Sequence, residues 1–547
     1  MKKKQKLLIL CIILYILIGA TIYYVTLPPL NWHAPEFWTY FIIMLALLLV
    51  PVIIYSSVPN PKFYDPKLKP MRKYAIIALV VAIAFPIVMS IVSMKVFNAG
   101  EYAKRIDIKN VKFDTIKEVD FSKTPIIDRE TTDSLGDRVM GQMSSLVSQF
   151  NVSDEYTQIS YKDSVYRVTP LEYADFIKWF SNKKDGIPAY ITVNSTNGKA
   201  ELVKLKDLGL KNMQYVPSAK FSKNLYRHLR FRYPTAIFGS PSFELDEDGH
   251  PWYVCTTYTY KGVGNKKSVT GAIFVDPISG DSTQYDLKDI PAWSDRIYSE
   301  SLIVEQIDDY GSLQKGFINS VLGQKGVIKT SSGYNYLEKD GDIWLYTGIT
   351  SVNKDSSNLG FVLVNMRTHE SLRIKAPGAD ETSAMKSAED EVKNYGYEAT
   401  FPVLVNVNGN PTYLMSLRSS SNSEESNKKG VIKMYAMVDA TDYQKVIAVS
   451  VDDGLETLKK QMLELQGSGS KSTSKKNTKE LTITVNNLER IYTDGNTKYY
   501  FQDENGNRYK MDFTTKYEDK LAFLKDGDQL TIQYTESEGI MTINKLK

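Results

Sequence analysis

The chain is poor in cysteine and histidine, and it lacks four of the short motifs that commonly mark an active site. Its 547 residues include 2 cysteines and 4 histidines. The sequence has no His-Glu-x-x-His, Cys-x-x-Cys, Gly-x-Ser-x-Gly or phosphate-loop pattern. Cys11 lies in an apolar segment, far from Cys255, so we expect no disulfide within the chain. The sequence therefore assigns no catalytic residue, no metal ligand and no cofactor.

A strong excess of charge of one sign is also missing. The formal net charge is +4, and charged residues make up 24% of the chain. Such a balance argues against nucleic acid as a partner, because nucleic-acid-binding surfaces are strongly basic. Aromatic residues make up 12%, which suits a folded chain and not a disordered one.

Three long segments contain no Asp, Glu, Lys or Arg: Leu7–Leu27, Phe37–Val58 and Tyr74–Met94. Each is close to the ~20 residues that a helix needs to cross the hydrocarbon core of a bilayer. Residues 1–97 are therefore predicted to form a three-span membrane anchor.

The charges between these segments predict the orientation. The connection Pro28–Glu36 contains no lysine or arginine. Basic residues lie before the first segment and between the second and third, at Lys2, Lys3, Lys4, Lys6, Lys62, Lys67, Lys69, Arg72 and Lys73. Short loops rich in lysine and arginine stay in the cytoplasm. We expect a cytoplasmic amino terminus and a large extracellular region after Phe97.

A short pattern recurs four times in that region. Each copy is an apolar strand whose last residue is Val, followed by Asp or Asn and then a polar turn. The four valines are Val193, Val275, Val364 and Val438. Asp and Asn favour such an exit because their side chains accept hydrogen bonds from nearby backbone N–H groups. Asp-Gly or Asn-Gly precedes a partner strand at Asp248, Asp340 and Asn408, which predicts hairpins. Between them, Leu302–Leu322 and Thr382–Tyr395 are predicted to be helical.

The strand that ends in Val-Asp-x-x-(Ser/Thr/Asn)-Gly resembles PepSY-type repeats over about residues 168–451. This resemblance implies an α+β fold of antiparallel sheets with packed helices. The alternative is a set of unrelated hairpins that share turn chemistry. The predicted domains are the anchor 1–97, a stalk with first exterior elements 98–167, and PepSY-like repeats 168–466.

Residues 467–478 are rich in Gly, Ser and Lys and are predicted to be a flexible linker. Beyond them, 479–547 alternates apolar and polar residues in short strands, for example at Leu481–Val485. The order of strands, with a short helix before the fourth strand, resembles an OB-fold barrel. We therefore predict a small carboxy-terminal β-barrel.

One stretch interleaves arginine with aromatic residues more densely than any other exterior stretch. Its candidate partner-binding residues are Tyr226, Arg227, Arg230, Phe231, Arg232 and Tyr233. Arginine grips phosphate or carboxylate with two parallel hydrogen bonds and stacks on aromatic rings. An anionic cell-wall polymer or an envelope protein would be the partner. The alternative is an amphipathic element with solvated arginines.

The composition, rich in Lys, Asn and Tyr, and the anchor are typical of a Gram-positive surface protein. The PepSY resemblance implies a membrane-anchored, non-enzymatic module that binds or regulates another envelope component. Two alternatives stay open. One is a cell-envelope hydrolase whose carboxylates come together only in the fold, and the other is an accessory subunit of a membrane transport complex. The sequence does not predict an oligomeric state.

Overall fold

The computed structural model describes residues 2–57, 68–352, 354–419, 431–466, 479–493, 496–512, 517–537 and 540–546. The fold is mixed α+β, as predicted, with helices packed on mostly antiparallel sheets. The chain divides into two compact units, Met1–Leu465 and Gln466–Lys547. The predicted linker 467–478 lies outside the described residues.

The three apolar segments form long helices, α1 Lys2–Thr26, α2 Pro35–Ser57 and α3 Leu68–Val92. Each contains a window apolar and long enough to cross a membrane: Ile9–Thr26, Pro35–Ile54 and Pro70–Val92. The prediction of three membrane-spanning helices is therefore supported by length and composition. Helix α4 (Lys95–Ala103) and strand β1 (Ile108–Val111) follow.

Four sheet units follow the anchor in the first compact unit. The first sheet unit contains α5 Arg129–Gly141, α6 Ser144–Val147, β2 Phe150–Val152, β3 Thr157–Tyr161, β4 Ser164–Tyr173, α7 Phe176–Asn182, β5 Ala189–Asn194 and β6 Ala200–Lys204. The second contains α8 Leu225–Arg232, β7 Ile237–Phe238, β8 Ser242–Leu245, β9 Pro251–Lys261, β10 Asn265–Val275 and β11 Ser282–Asp286. The boundary predicted between residues 167 and 168 lies inside β4, because the first sheet begins earlier than its recognisable exit turn.

The third sheet unit contains α9 Glu300–Leu313, β12 Ile328–Thr330, β13 Asn335–Lys339, β14 Asp342–Ser351, β15 Lys354–Asn365, β16 Ser371–Ile374 and β17 Gly378–Ala379. The fourth contains α10 Glu381–Glu391, β18 Tyr397–Ala399, β19 Val403–Val407, β20 Asn410–Ser419, β21 Ile432–Asp439, β22 Val446–Ser450 and α11 Gly454–Leu465. Strand β1, predicted as part of a stalk, pairs in parallel with β16 and so belongs to the third sheet.

The four predicted exit turns are confirmed, and the same type of hydrogen bond forms in each. In each turn the side-chain oxygen of the Asp or Asn accepts the backbone N–H two residues later, at 2.7–2.9 Å. The residues are Asn194, Asp276, Asn365 and Asp439. Gly198 and Gly280 supply the positive φ that closes the first two turns, and His369 adopts φ +66° in the third. The repeated pattern in the sequence therefore encodes a repeated backbone turn.

The predicted hairpins are also present. The strand pairs β8–β9, β13–β14 and β19–β20 are antiparallel neighbours joined at the Asp-Gly and Asn-Gly turns. At Asp340–Gly341 and Asn408–Gly409 both turn residues have positive φ, the geometry that matches the twist of two antiparallel strands. The helices predicted at Leu302–Leu322 and Thr382–Tyr395 are shorter, and correspond to α9 and α10.

Consecutive sheet units share hydrophobic cores, and the fourth closes on the first. One core joins residues of the first and second units, another the second and third, and a third the third and fourth. A further core packs Ile126 and Ile127, which lead into α5, against Val403 and Leu414 of the fourth unit. The four sheets therefore enclose a common centre.

The carboxy-terminal unit is a six-stranded sheet with a short helix, α12 Glu518–Ala522. Its strands are β23 Lys479–Thr484, β24 Asn486–Thr493, β25 Asn496–Gln502, β26 Arg508–Asp512, β27 Gln529–Ser537 and β28 Ile540–Leu546. The strand order is β23-β27-β28-β26-β25-β24. Among the described residues no ladder joins β23 to β24, so closure into a barrel stays a prediction. Strand β24 is additional to the predicted pattern.

Asp295 joins three of the sheet units. Its Oδ2 accepts the backbone N–H of Ser160 at 2.7 Å, and its Oδ1 accepts that of Ile343 at 3.1 Å. Its own N–H donates to Glu244 Oε2 at 2.8 Å. Burial raises the pKa of Asp295 well above its ordinary value, and the charge of Glu244 raises it further.

This burial predicts a pH-dependent stability difference for Asp295→Asn. A carboxyl whose pKa is raised by folding binds its proton more tightly in the folded state, so the wild type loses stability as pH rises above the ordinary value of 3.8. The amide does not titrate. The melting temperature of the wild type relative to the variant should therefore fall between about pH 4 and pH 8. A constant difference across that range would contradict the raised pKa.

Candidate functional site

A cavity of about 340 Å³ lies where the four sheet units meet. Its lining comes from the segment before α5, from β3 and β4, from β8, from the start of α9, from β13, and from β19 and β20. The charged, amide and tyrosine side chains that concern the chemistry are Asp128, Arg129, Glu155, Tyr156, Gln158, Arg167, Arg296, Glu300, Tyr334 and Tyr336. We call this set the central cavity.

One wall of the central cavity is a closed ion-pair network from the third unit. Arg296 donates from Nε and Nη2 to the two carboxylate oxygens of Glu300, at 2.9 and 2.6 Å. The hydroxyl of Tyr336 donates to Glu300 Oε1 at 2.9 Å. Burial alone would raise the pKa of Glu300, but the hydrogen bonds and charge of Arg296 lower it below its ordinary value. Glu300 is therefore held ionised.

The central cavity is also lined by a buried arginine, Arg167, that has no carboxylate hydrogen-bond partner among the described residues. Arg167 donates to Gln158 Oε1 at 3.0 Å and to Thr132 Oγ1 at 2.9 Å, which are neutral acceptors. Burial lowers the pKa of Arg167. The amide Nε2 of Gln158 is buried and has no partner among the described residues. A donor-rich wall of this kind favours an anionic or oxygen-rich ligand.

Asp128 and Glu155 supply carboxylates that are less engaged. Arg418 donates to Asp128 Oδ2 at 2.9 Å, while Oδ1 is buried without a partner in the described part of the chain. Glu155 is exposed. Arg129, which follows Asp128, donates to the carbonyl oxygen of Asp154, which precedes Glu155, at 2.8 Å. This bond links the two segments that carry Asp128 and Glu155. The cavity thus presents carboxylates in contrasting surroundings.

None of the residues predicted from the sequence as partner-binding lies in the central cavity. They form α8 and its end, next to the membrane helices. Arg230 is 4% exposed and donates to the carbonyl oxygens of Leu27 and Ala236. Arg227 donates to the carbonyl oxygens of Tyr24 and Phe221. Tyr226 and Tyr233 are partly buried, whereas Phe231 and Arg232 are exposed. Partner binding there stays a prediction.

Sequence reasoning missed the central cavity because its residues come from distant parts of the chain. No pair of them forms a short motif. The only available signal was Arg296 and Glu300, spaced by four residues, which is the usual spacing of an ion pair on a helix.

No family model matches the chain, and no curated protein matches it. Solved structures with some likeness include a GH32 beta-fructofuranosidase from Bombyx mori, with 12% identity over 77% of this chain and 70% of that chain, and a TM-score of 0.18. A levansucrase mutant from B. megaterium has 9% identity over 79% of this chain and 98% of that chain, with a TM-score of 0.18. A levansucrase mutant from Bacillus subtilis has 9% identity over the same shares, with a TM-score of 0.16.

These neighbours are enzymes, and they contradict the prediction of a non-enzymatic binding or regulatory module. That prediction came from a strand-and-turn pattern, which describes the sheets and not the cavity between them. TM-scores this low carry no argument about the fold or reaction of this chain. The chemistry has to be argued from the central cavity itself.

The ion-pair network predicts a large loss of stability for Glu300→Gln. The variant leaves Arg296 without its carboxylate in a mostly buried position, which costs about 3 kcal/mol in comparable pairs. The matched control is Glu201→Gln, which breaks an exposed pair with Lys199 and should leave the melting temperature nearly unchanged, because water and salt screen such a pair. Thermal unfolding of the full chain in detergent measures both. Equal shifts in melting temperature would show that the network does not stabilise the fold.

Proposed function

We propose that the protein is a membrane-anchored hydrolase that acts outside the cell on an anionic envelope polymer, with the central cavity as its active site. The observation that carries this proposal is that all four sheet units contribute to one polar cavity with carboxylates in contrasting surroundings. Hydrolases that use two carboxylates need such a contrast, because one group must accept a proton while the other donates one.

Asp128 is the proposed general base. Its Oδ1 has free lone pairs inside the cavity, while Arg418 fixes the other oxygen. Glu155 is the proposed general acid in its protonated form, which solvent can replenish at this exposed position. Water would lose a proton to Asp128 as its oxygen attacks the linkage between two units of the polymer. The bond from the polymer unit to the leaving oxygen would break as that oxygen takes a proton from Glu155. Asp128 would then release its proton to solvent, and Glu155 would bind one from solvent.

The cations of the cavity favour an anionic substrate. Arg129 lines the cavity. Arg167 is a buried cation, and among the described residues only neutral oxygens accept its hydrogen bonds. The charges of Asp128 and Asp133 act on Arg167 without a hydrogen bond to it among the described residues. Phosphate or carboxylate groups on a polymer would add a charged acceptor in direct contact. Tyr334 and Tyr336 add flat surfaces against which a sugar ring can pack.

The resemblances noted in the sequence belong to the same proposal. The four sheet units would be PepSY-like scaffolding for the central cavity, and residues 479–547 would form an OB-like barrel. Neither resemblance decides the reaction, which depends only on the cavity residues.

The reaction is tested with Asp128→Asn and Glu155→Gln. Each should lower the release of soluble fragments from purified anionic cell-wall polymer by at least about 100-fold, the usual contribution of a general acid or base. The matched control is Asp137→Asn, an exposed carboxylate on α5 that does not line the cavity. Melting temperatures of Glu155→Gln and Asp137→Asn should stay near that of the wild type. That of Asp128→Asn should fall by only a few degrees, because the amide oxygen can still accept the bond from Arg418 and Arg418 keeps its pair with Glu130. No hydrolysis by the wild type, or full activity of both cavity variants, would overturn the proposal.

The extracellular position is tested by protease access. The lysines and arginine between the second and third helices favour a cytoplasmic loop there, which leaves everything beyond α3 outside. A protease added to intact protoplasts should remove an epitope at Lys547 completely. Protection of that epitope until the membrane is permeabilised would reverse the orientation and exclude an extracellular substrate.

A further inference from the structure

A second polar cavity, of about 490 Å³, lies where the membrane helices meet the second sheet unit. It is lined by the end of α1, the start of α2, α8, and the strands β7, β9 and β10. The apolar window of α1 ends at Thr26, which lines the cavity. The apolar window of α2 begins at Pro35, the residue before Glu36, which also lines the cavity. The cavity therefore lies at the level of the lipid headgroups. We call it the headgroup-level cavity.

The lining of this cavity is mostly cationic. Arg227, Arg230 and Lys267 line it, against one carboxylate, that of the exposed Glu36. Among the described residues neither the two guanidinium groups nor the ammonium group has a carboxylate oxygen within 4.0 Å. Their partners are backbone carbonyl oxygens and aromatic rings.

Two of these cations are substantially removed from water. Burial lowers the pKa of Arg230 to about 10, and burial also lowers the pKa of Lys267. Arg230 is fixed by its hydrogen bonds to Leu27 and Ala236 and stacks on Phe238, with the guanidinium carbon 4.3 Å from the ring centre. Lys267 lies over the ring of Tyr258 at 3.7 Å. The charge of Glu36 acts on both cations and that of Glu305 on Lys267, but no carboxylate oxygen contacts either cation among the described residues. A buried positive charge without a contacting carboxylate is costly, and an anion in the cavity would offset that cost.

Aromatic side chains at the end of α1, at the start of α2 and on α8 are of the kind found in a membrane interface. Phe231 of α8 is 56% exposed and contacts the rings of Tyr23 and Tyr24, at 5.8 and 6.2 Å between centres. Trp38 of α2 donates its indole N–H to the carbonyl oxygen of Trp32. Tyrosine and tryptophan are enriched at the depth of the headgroups because their rings are apolar and their N–H or O–H is polar.

We propose that the headgroup-level cavity binds the phosphate of an anionic membrane lipid from the leaflet that faces the sheet units. Arg227 and Lys267 would contact the phosphate, and Arg230 would supply a fixed positive charge behind them. Arginine suits this role because its planar fork donates two hydrogen bonds to phosphate oxygens. The volume lies in the range of ordinary small-ligand sites. The bound lipid would tie the anchor to the second sheet unit.

The test uses the purified full chain in a neutral detergent. Dihexanoyl phosphatidylglycerol, dihexanoyl phosphatidylcholine and inorganic phosphate are titrated separately, and binding is read from the rise in melting temperature and from native mass spectrometry. Phosphatidylglycerol should bind at least tenfold more tightly than either other probe. Equal binding of phosphatidylcholine would overturn the role of net charge. Equal binding of inorganic phosphate would overturn the assignment to a lipid.

The variants Lys267→Gln and Arg227→Gln should each weaken phosphatidylglycerol binding about fivefold, because a basic residue near an anionic lipid contributes roughly that much. The matched control is Lys266→Gln, the neighbour in β10, whose Nζ pairs with Glu101 and does not line the cavity. It should bind phosphatidylglycerol as the wild type does. The lipid-free melting temperatures should agree within a few degrees. Unchanged binding in both cavity variants would overturn the proposal.

Discussion

The arrangement of the first three sheet units depends on the hydrogen bonds made by two buried carboxyl groups, those of Asp295 and Glu244. Asp295 accepts backbone N–H groups from β3 and from β14. Glu244, on β8, accepts the N–H of Asp295 and the hydroxyls of Ser242 and Ser294. Hydrophobic cores alone allow sheets to slide, because apolar contact has no direction, whereas these bonds each require one position. The central cavity keeps its outline because its walls are fixed to one another in this way.

The elements of the fold were predictable where local chemistry determines them. The exit turns at Asn194, Asp276, Asn365 and Asp439 were visible because each depends on a side chain two residues from its bonding partner. The helices α1, α2 and α3 could be predicted because their segments have the length and apolar composition that a bilayer crossing requires. The turn at Lys162–Asp163 was not, since both residues adopt positive φ without the glycine that usually signals it.

The central cavity could not be predicted in the same way. Asp128 and Glu155 belong to the first unit but are separated by α5, α6 and β2, and Glu300 belongs to the third unit. Nothing in the sequence near one of them refers to the others. Their association follows from the closure of the fourth unit on the first. That closure rests on apolar contacts of Ile126 and Ile127 and on the bond from Arg418 to Asp128, all between residues far apart in sequence. The arginine-rich stretch was visible, yet its contact with α1 depends on the same long-range assembly.

The arginines that are removed from water differ in the partners that they contact. Arg296 pairs with Glu300, and Arg105 pairs with Asp309 at 2.7 Å where the segment after α4 meets α9. Arg167 and Arg230 are buried, but in the described structure they donate to neutral oxygens. Arg167 lines the central cavity and Arg230 the headgroup-level cavity. A protein that only needed stability would pair or replace such a charge, since an unpaired buried cation lowers the free energy of unfolding. The anionic ligands proposed for the two cavities would supply the charged acceptor that these two arginines lack among the described residues.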